Sequence, residues 1–172
     1  MFASVMADCA SKLVSVVPDI REDLDIQVSM FPQLYDMTTT VTYPESSDAQ
    51  FDQKVIQWMS QKTKRRGYAK FITQLYIRGL VTEQTMMDSL QLVLDELSHT
   101  AVQAKTQETE ENVTQFADFL FESAKILPAG SSSLKSMIHT KVCVILDAPR
   151  SALPSLGMRS RFKLEDTVKC VQ

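Results

Sequence analysis

Lys64-Arg-Arg-Gly-Tyr-Ala-Lys-Phe-Ile-Thr-Gln-Leu-Tyr-Ile-Arg-Gly-Leu-Val-Thr-Glu83 holds the end of one helix and the start of the next. Phe71, Ile72, Leu75 and Tyr76 recur at helical steps, and Gly79 stands where a helix C-terminus favours a residue that turns left-handed. Thr82 then offers a side-chain oxygen to the free amides of a new helix. The spacing predicts two helices joined by a short turn, the unit of antiparallel helix packing.

Working upstream, the first of these helices is expected from about Asp52 to Arg78, with an earlier apolar face of Phe51, Val55, Trp58 and Met59. Gly67 lies between its two faces, where it marks either a bend or a close backbone approach. Pro44 to Ala49 reads as a polar linker and Thr38 to Tyr43 as extended or loop. In 19–50, Leu24, Ile26, Val28, Met30 and Phe31 alternate in part, Pro32 limits any helix, and no helix is placed. Phe2, Val5, Met6, Cys9, Leu13, Val16 and Val17 form one face of a first helix that Pro18 stops.

Downstream, Met86, Met87, Leu90, Val93, Leu94 and Leu97 give the second helix its face. Residues 98–109 are rich in Thr and Gln and read as a polar inter-helix loop. Glu110 and Glu111 open a further helix, their charge suited to the positive end of its dipole. Val113, Phe116, Ala117, Phe119, Leu120 and Ile126 are its apolar residues. The run Ser131-Ser132-Ser133 caps the next, with Leu134, Met137, Ile138, Val142, Ile145 and Leu146 at helical spacing. After Pro149 and Pro154 a last helix spans about Met158 to Val171, with Phe162, Leu164, Thr167, Val168 and Val171 expected inside. The sum is an all-α chain of about six or seven helices, an α-solenoid of HEAT-type antiparallel pairs.

Composition agrees with a single domain over 1–172. At 172 residues the chain buries enough surface, roughly 70%, to need no disulfide or metal. Apolar residues at 44% and charged residues at 23% exclude wholesale disorder, and four glycines are few for an all-β fold. A net charge of −3 excludes a nucleic-acid binder that uses its whole surface. Cys9, Cys143 and Cys170 are odd in number and widely spaced, which predicts reduced core cysteines in a cytoplasmic protein. The N-terminal apolar stretch lacks a leading positive charge and is interrupted by Asp8 and Lys12, unlike a signal peptide. No apolar run is long enough to span a membrane. The sequon Asn112-Val113-Thr114 falls in a helical pattern and reads as chance.

The chain holds no phosphate loop or nucleophile elbow, and no metal or other cofactor is expected. His99 and His139 sit at a helix end and within an amphipathic helix, so both read as structural or solvated; a Cys143–His139 enzyme is a minor alternative. Two cationic clusters carry binding chemistry instead. Lys62, Lys64, Arg65, Arg66 and Lys70 follow Trp58, and Lys62, Arg66 and Lys70 share one stripe at steps of four. Such a stripe suits phosphates or an acidic protein face, although a solvated helix face explains it equally well. Arg150, Arg159, Arg161, Lys163 and Lys169 form the second cluster, interleaved with Phe162 and Asp166.

Within 64–83, the order Phe71, Ile72, Leu75, Gly79, Leu80, Thr82 and Glu83 resembles the central helix and turn of the middle domain of translation initiation factor 4 gamma. Arg159-Ser-Arg161-Phe162-Lys-Leu-Glu-Asp166-Thr-Val168 looks like the last helix of that family. Met1 to Leu13 and Glu110 to Leu127 are similar to other helices of it, in the same order, while 19–50 does not match. The family carries at least one more helix pair before the point where Met1 falls, so the resemblance implies an N-terminally incomplete domain.

The resemblance further implies a scaffold and not an enzyme. It implies a DEAD-box RNA helicase of the initiation factor 4A type as partner, RNA as a possible second ligand, and other initiation factors through missing regions. The helicase-binding residues it points to are Arg159, Arg161, Phe162 and Asp166, with Phe162 expected mainly in the core. Lys62, Lys64, Arg65, Arg66 and Lys70 become candidates for RNA or helicase contact. Sibling readings with the same fold are scaffolds in RNA processing, decay or cap binding; a stand-alone RNA-binding module is a further alternative.

Overall fold

The structure is a computed structural model that describes residues 2–17, 19–31, 41–45 and 47–172. Pro18, expected to stop the first helix, Pro32, expected to limit another, and the extended Thr38 to Thr40 lie outside the described residues. Among the described residues the chain forms seven α-helices. They are α1 (Phe2–Val16), α2 (Ile20–Ser29), α3 (Phe51–Ile77), α4 (Glu83–Ala101), α5 (Gln107–Ala124), α6 (Ser132–Asp147) and α7 (Met158–Val171), with a 3-10 turn at Arg150–Ala152 before the last.

The helices stack in two rows. α1 packs on α3, α3 on α5 and α5 on α7, which makes one row of alternate helices. α4 and α6 pack on each other and cover that row from one side, α4 chiefly against α5 and α6 against α7. This is the two-layer arrangement of an α-solenoid. α5 sits in the middle and is buried all round from Asn112 to Leu120, as a helix with neighbours on three sides must be. Ile72 and Leu75 of α3, Leu90, Val93 and Leu94 of α4, and Phe116, Phe119 and Leu120 of α5 form the centre of the core.

Local chemistry sets the boundaries. Gly79 has φ of 68°, its N–H donates to the Tyr76 carbonyl at 2.9 Å, and the Leu80 N–H donates to the Leu75 carbonyl at 3.0 Å. That is a Schellman ending, and buried Leu75 and Leu80 supply its apolar contact. The Thr82 hydroxyl accepts from the Thr85 N–H at 3.1 Å and caps α4.

Several sequence expectations shift. The 98–109 loop shrinks, because α4 runs to Ala101 and α5 starts at Gln107. Buried Thr100 and Ala101 hold the α4 end in the core. Thr106 and Thr109 close a capping box, the two N–H···Oγ1 distances being 3.1 and 2.9 Å. Ser131 lies at the α6 N-cap position but makes no capping bond; its hydroxyl donates to the Tyr76 hydroxyl at 3.3 Å. α2 exists where alternation was expected, since Ile20, Leu24 and Val28 turn inward at steps of four while Ile26 and Met30 face out.

The described part of Thr38 to Tyr43 has no regular structure; there Tyr43 meets Trp58 edge-on with ring centroids 5.1 Å apart. α3 runs unbroken through Gly67, and no neighbouring backbone approaches it, since a Cβ there meets nothing within 4 Å. The three cysteines are free, but only Cys170 packs against the core, half-buried; Cys143 is half-buried outside it and Cys9 is exposed.

Candidate partner-docking surface

The 62–70 cluster is turned mainly into the molecule. Lys62 Nζ lies 3.0 Å from Glu111 Oε2, and Lys70 Nζ lies 3.3 Å from Glu122 Oε2. Between them Arg66 Nε donates to Asp118 Oδ2 at 2.7 Å. Arg65 is buried and donates from Nη1 to Gln115 Oε1 at 2.6 Å. Lys62 also sits over the Trp58 ring, 4.7 Å from its centroid. The basic stripe of α3 thus meets a carboxylate stripe at Glu111, Asp118 and Glu122 of α5. Both run in the same chain direction, as alternate helices of a solenoid do.

Asp118 is the hub of this ladder. Its side chain is 3% exposed, and it takes Lys163 of α7 on Oδ1 at 3.3 Å as well as Arg66 on Oδ2. One carboxylate therefore ties three helices of a row together. Of the five cations proposed for RNA or helicase contact, only Lys64 has no carboxylate or amide partner among the described residues.

α7 presents the other set. Gly157 precedes it, and a Cβ there would stand 2.7 Å from Glu110 Oε1, so glycine lets the helix start lie close to α5. Ser160, Leu164, Thr167 and Val171 turn inward, with the Ser160 and Thr114 hydroxyls 2.9 Å apart. The opposite face then points to solvent. Arg159, Phe162 and Asp166 share it at steps of three and four, and Met158 stands one turn before Phe162. Phe162 is 56% exposed, so it is not the core residue its spacing implied. Asp166 pairs with Lys169 at 2.9 Å, and this hydrogen bond raises the ammonium above its ordinary range.

Arg161 departs from this set. Its Nη1 donates to the Leu146 carbonyl at 2.8 Å and so caps the α6 end, where a cation is favoured. Three of the four proposed helicase-binding residues thus share one outward stripe, and Arg161, half-buried, spends one N–H on the α6 end. Met158 is a companion that the sequence reading misses; its place at i−4 from Phe162 was the available signal.

Other candidates resolve simply. Asn112 is buried, which agrees with a chance sequon. Cys143 Sγ lies 3.9 Å from both ring nitrogens of His139, a contact expected between residues one turn apart on α6. Among the described residues no group of three or more His, Cys, Asp or Glu could hold a metal ion. No described helix is long and apolar enough to cross a membrane. Comparison with protein-family models, with curated proteins and with solved structures finds no match to the chain.

Proposed function

We propose that this chain is a cytoplasmic scaffold of the initiation factor 4 gamma middle-domain type, and that it binds a DEAD-box RNA helicase through the outer face of α7. The observation that carries the reading is the exposed Phe162, set between Arg159 and Asp166 on one stripe. Phe162 stands beside exposed Met158 on the same face, and an aromatic anchor with charges at its rim is the usual centre of a protein interface. The resemblance of 159–168 to the family's last helix supports the choice of partner. The two-row helix stack supports the choice of role, since such stacks present side chains on a fixed frame.

In this reading the scaffold hydrolyses nothing. It binds one arrangement of the helicase lobes better than the others and shifts the population towards it. Charge on α7 orients the partner: Arg159 takes a carboxylate, Asp166 a cation, and Phe162 supplies apolar area. RNA has less support, because phosphate binding draws on several free cations and the 62–70 cluster is largely spent on α5. A scaffold in RNA processing, decay or cap binding would use the same stripe for a different helicase.

The test is titration calorimetry of the purified chain with a purified helicase of the initiation factor 4A type. Phe162→Asp is expected to weaken binding at least about tenfold with the melting temperature unchanged. Absence of binding by the wild-type chain, or equal binding by both, contradicts the proposal.

A further inference from the structure

α1 presents its larger apolar side chains to solvent. It meets α3 through buried Ala7, with Ala10 and Val14 packed beside it. Phe2, Val5, Met6, Leu13 and Val16 stay exposed, Phe2 at 84%. Where α1 approaches α3, Phe2 and Met6 line an open groove of about 490 Å³ together with Lys64, Gly67, Tyr68 and Phe71. On α3 those four residues stand at i, i+3, i+4 and i+7, the pattern of one helix face.

Two details separate this groove from an incidental hollow. Gly67 is the first. It occupies the middle of a continuous helix, where glycine is a poor helix former. Its φ is not positive, and a Cβ would meet nothing within 4 Å. The fold therefore does not require glycine there; what glycine does is keep the groove floor open. Lys64 is the second. It is exposed on the groove wall with no carboxylate partner among the described residues, while Lys62, Arg66 and Lys70 are each neutralised by α5. Among the described residues the groove is thus lined by apolar side chains, Gly67 and one unpaired cation, Lys64.

We propose that the α1/α3 groove docks an amphipathic helix of a partner protein, which lays apolar side chains spaced three and four residues apart over Gly67 and sets a carboxylate on Lys64. Grooves of this shape take helices by i, i+3 and i+4 anchors, and the charge fixes register and orientation. The proposal is independent of the helicase reading, because α1 and α7 stand at opposite ends of their row.

The experiment uses the full chain and two fluorescein-labelled amphipathic peptides of about 15 residues. Both carry Leu and Phe on one face and differ only in Glu or Lys beside it. Anisotropy is expected to show the Glu peptide binding wild type roughly threefold or more tighter than the Lys peptide. Lys64→Glu inverts that preference. Gly67→Leu fills the groove, abolishes binding of both peptides and leaves the melting temperature equal or higher, which rules out misfolding as the cause. The proposal is overturned if neither peptide binds, if binding survives Gly67→Leu, or if Lys64→Glu leaves the preference unmoved. It is also overturned if the chain self-associates with rising concentration and Gly67→Leu abolishes that, since a second copy then fills the groove.

Discussion

Tyr68 stacks on Phe31, with ring centroids 4.8 Å apart and planes 15° from parallel. Its hydroxyl points to the Val28 carbonyl at 3.4 Å, a long bond that contributes little. Burial pushes the phenol up to about 12 from its ordinary 10.0. The unfolded chain therefore loses this proton at lower pH than the folded chain does. Stability from Tyr68 is fully present below pH 10 and falls as pH rises towards 12. Tyr68→Phe removes that loss at almost no cost at neutral pH. Thermal melts at about pH 8 and about pH 11.5 should show the mutant gaining on wild type at the higher pH. A gap between the two proteins that is the same at both pH values contradicts this account.

At the same scale, Phe162 shows how spacing can mislead. Its position fits the apolar period of α7 on paper, but the buried stripe runs through Ser160, Leu164, Thr167 and Val171, with two hydroxyls in it. The sequence reading places Leu164, Thr167 and Val171 correctly inside, but it adds Phe162 to that face and passes over Ser160, a polar residue that takes the inward place before Leu164. The same holds at α1, where small alanines pack and the large side chains face out.

Between elements, the α3–α5 ladder adds ion pairs to the apolar core that α3, α5 and α7 share. Asp118 is its most buried charge and serves cations from two other helices. Asp118→Ala leaves Arg66 and Lys163 without their shared carboxylate. Because both cations keep partial access to water, the expected loss is about 2 kcal/mol, below that for a fully buried pair. Urea denaturation measures it; a loss under about 0.5 kcal/mol would place the ladder among ordinary surface pairs. The cationic stripe itself was legible in the sequence, but of its acidic partners only Glu111 stands out there, as a helix opener; Asp118 and Glu122 do not. That the two stripes face each other was not legible, because some fifty residues separate the partners and no local pattern reports a tertiary pairing. The helix ends read better. Gly79 and Thr82 work through bonds to their own neighbours, so the 77–83 turn was readable. Thr106 was hidden because its box partner is Thr109 and not the usual Glu or Gln.

Seen whole, the molecule is a row of alternate helices backed by a second, with α1 at one end and α7 at the other. The helical class and every helix but α2 follow from the apolar period and the turns. Antiparallel packing of chain neighbours accounts for α4 on α5 and α6 on α7, but the row of alternate helices, in which α3 packs on α5 more than on α4, is not legible in the short connections. The candidate sites follow less directly, since both lie on faces that look like core in sequence and are open in the fold. The outward aromatic on α7 and the open groove beside α1 are the two docking places proposed for other proteins, the first for a helicase held in its active arrangement. The most direct measurement is the steady-state ATPase rate of a purified initiation factor 4A-type helicase, with RNA, as the chain is added. The account predicts a rate that rises and saturates with the wild-type chain and does not rise with Phe162→Asp. A rate unchanged by the wild-type chain, or raised equally by the mutant, would contradict it.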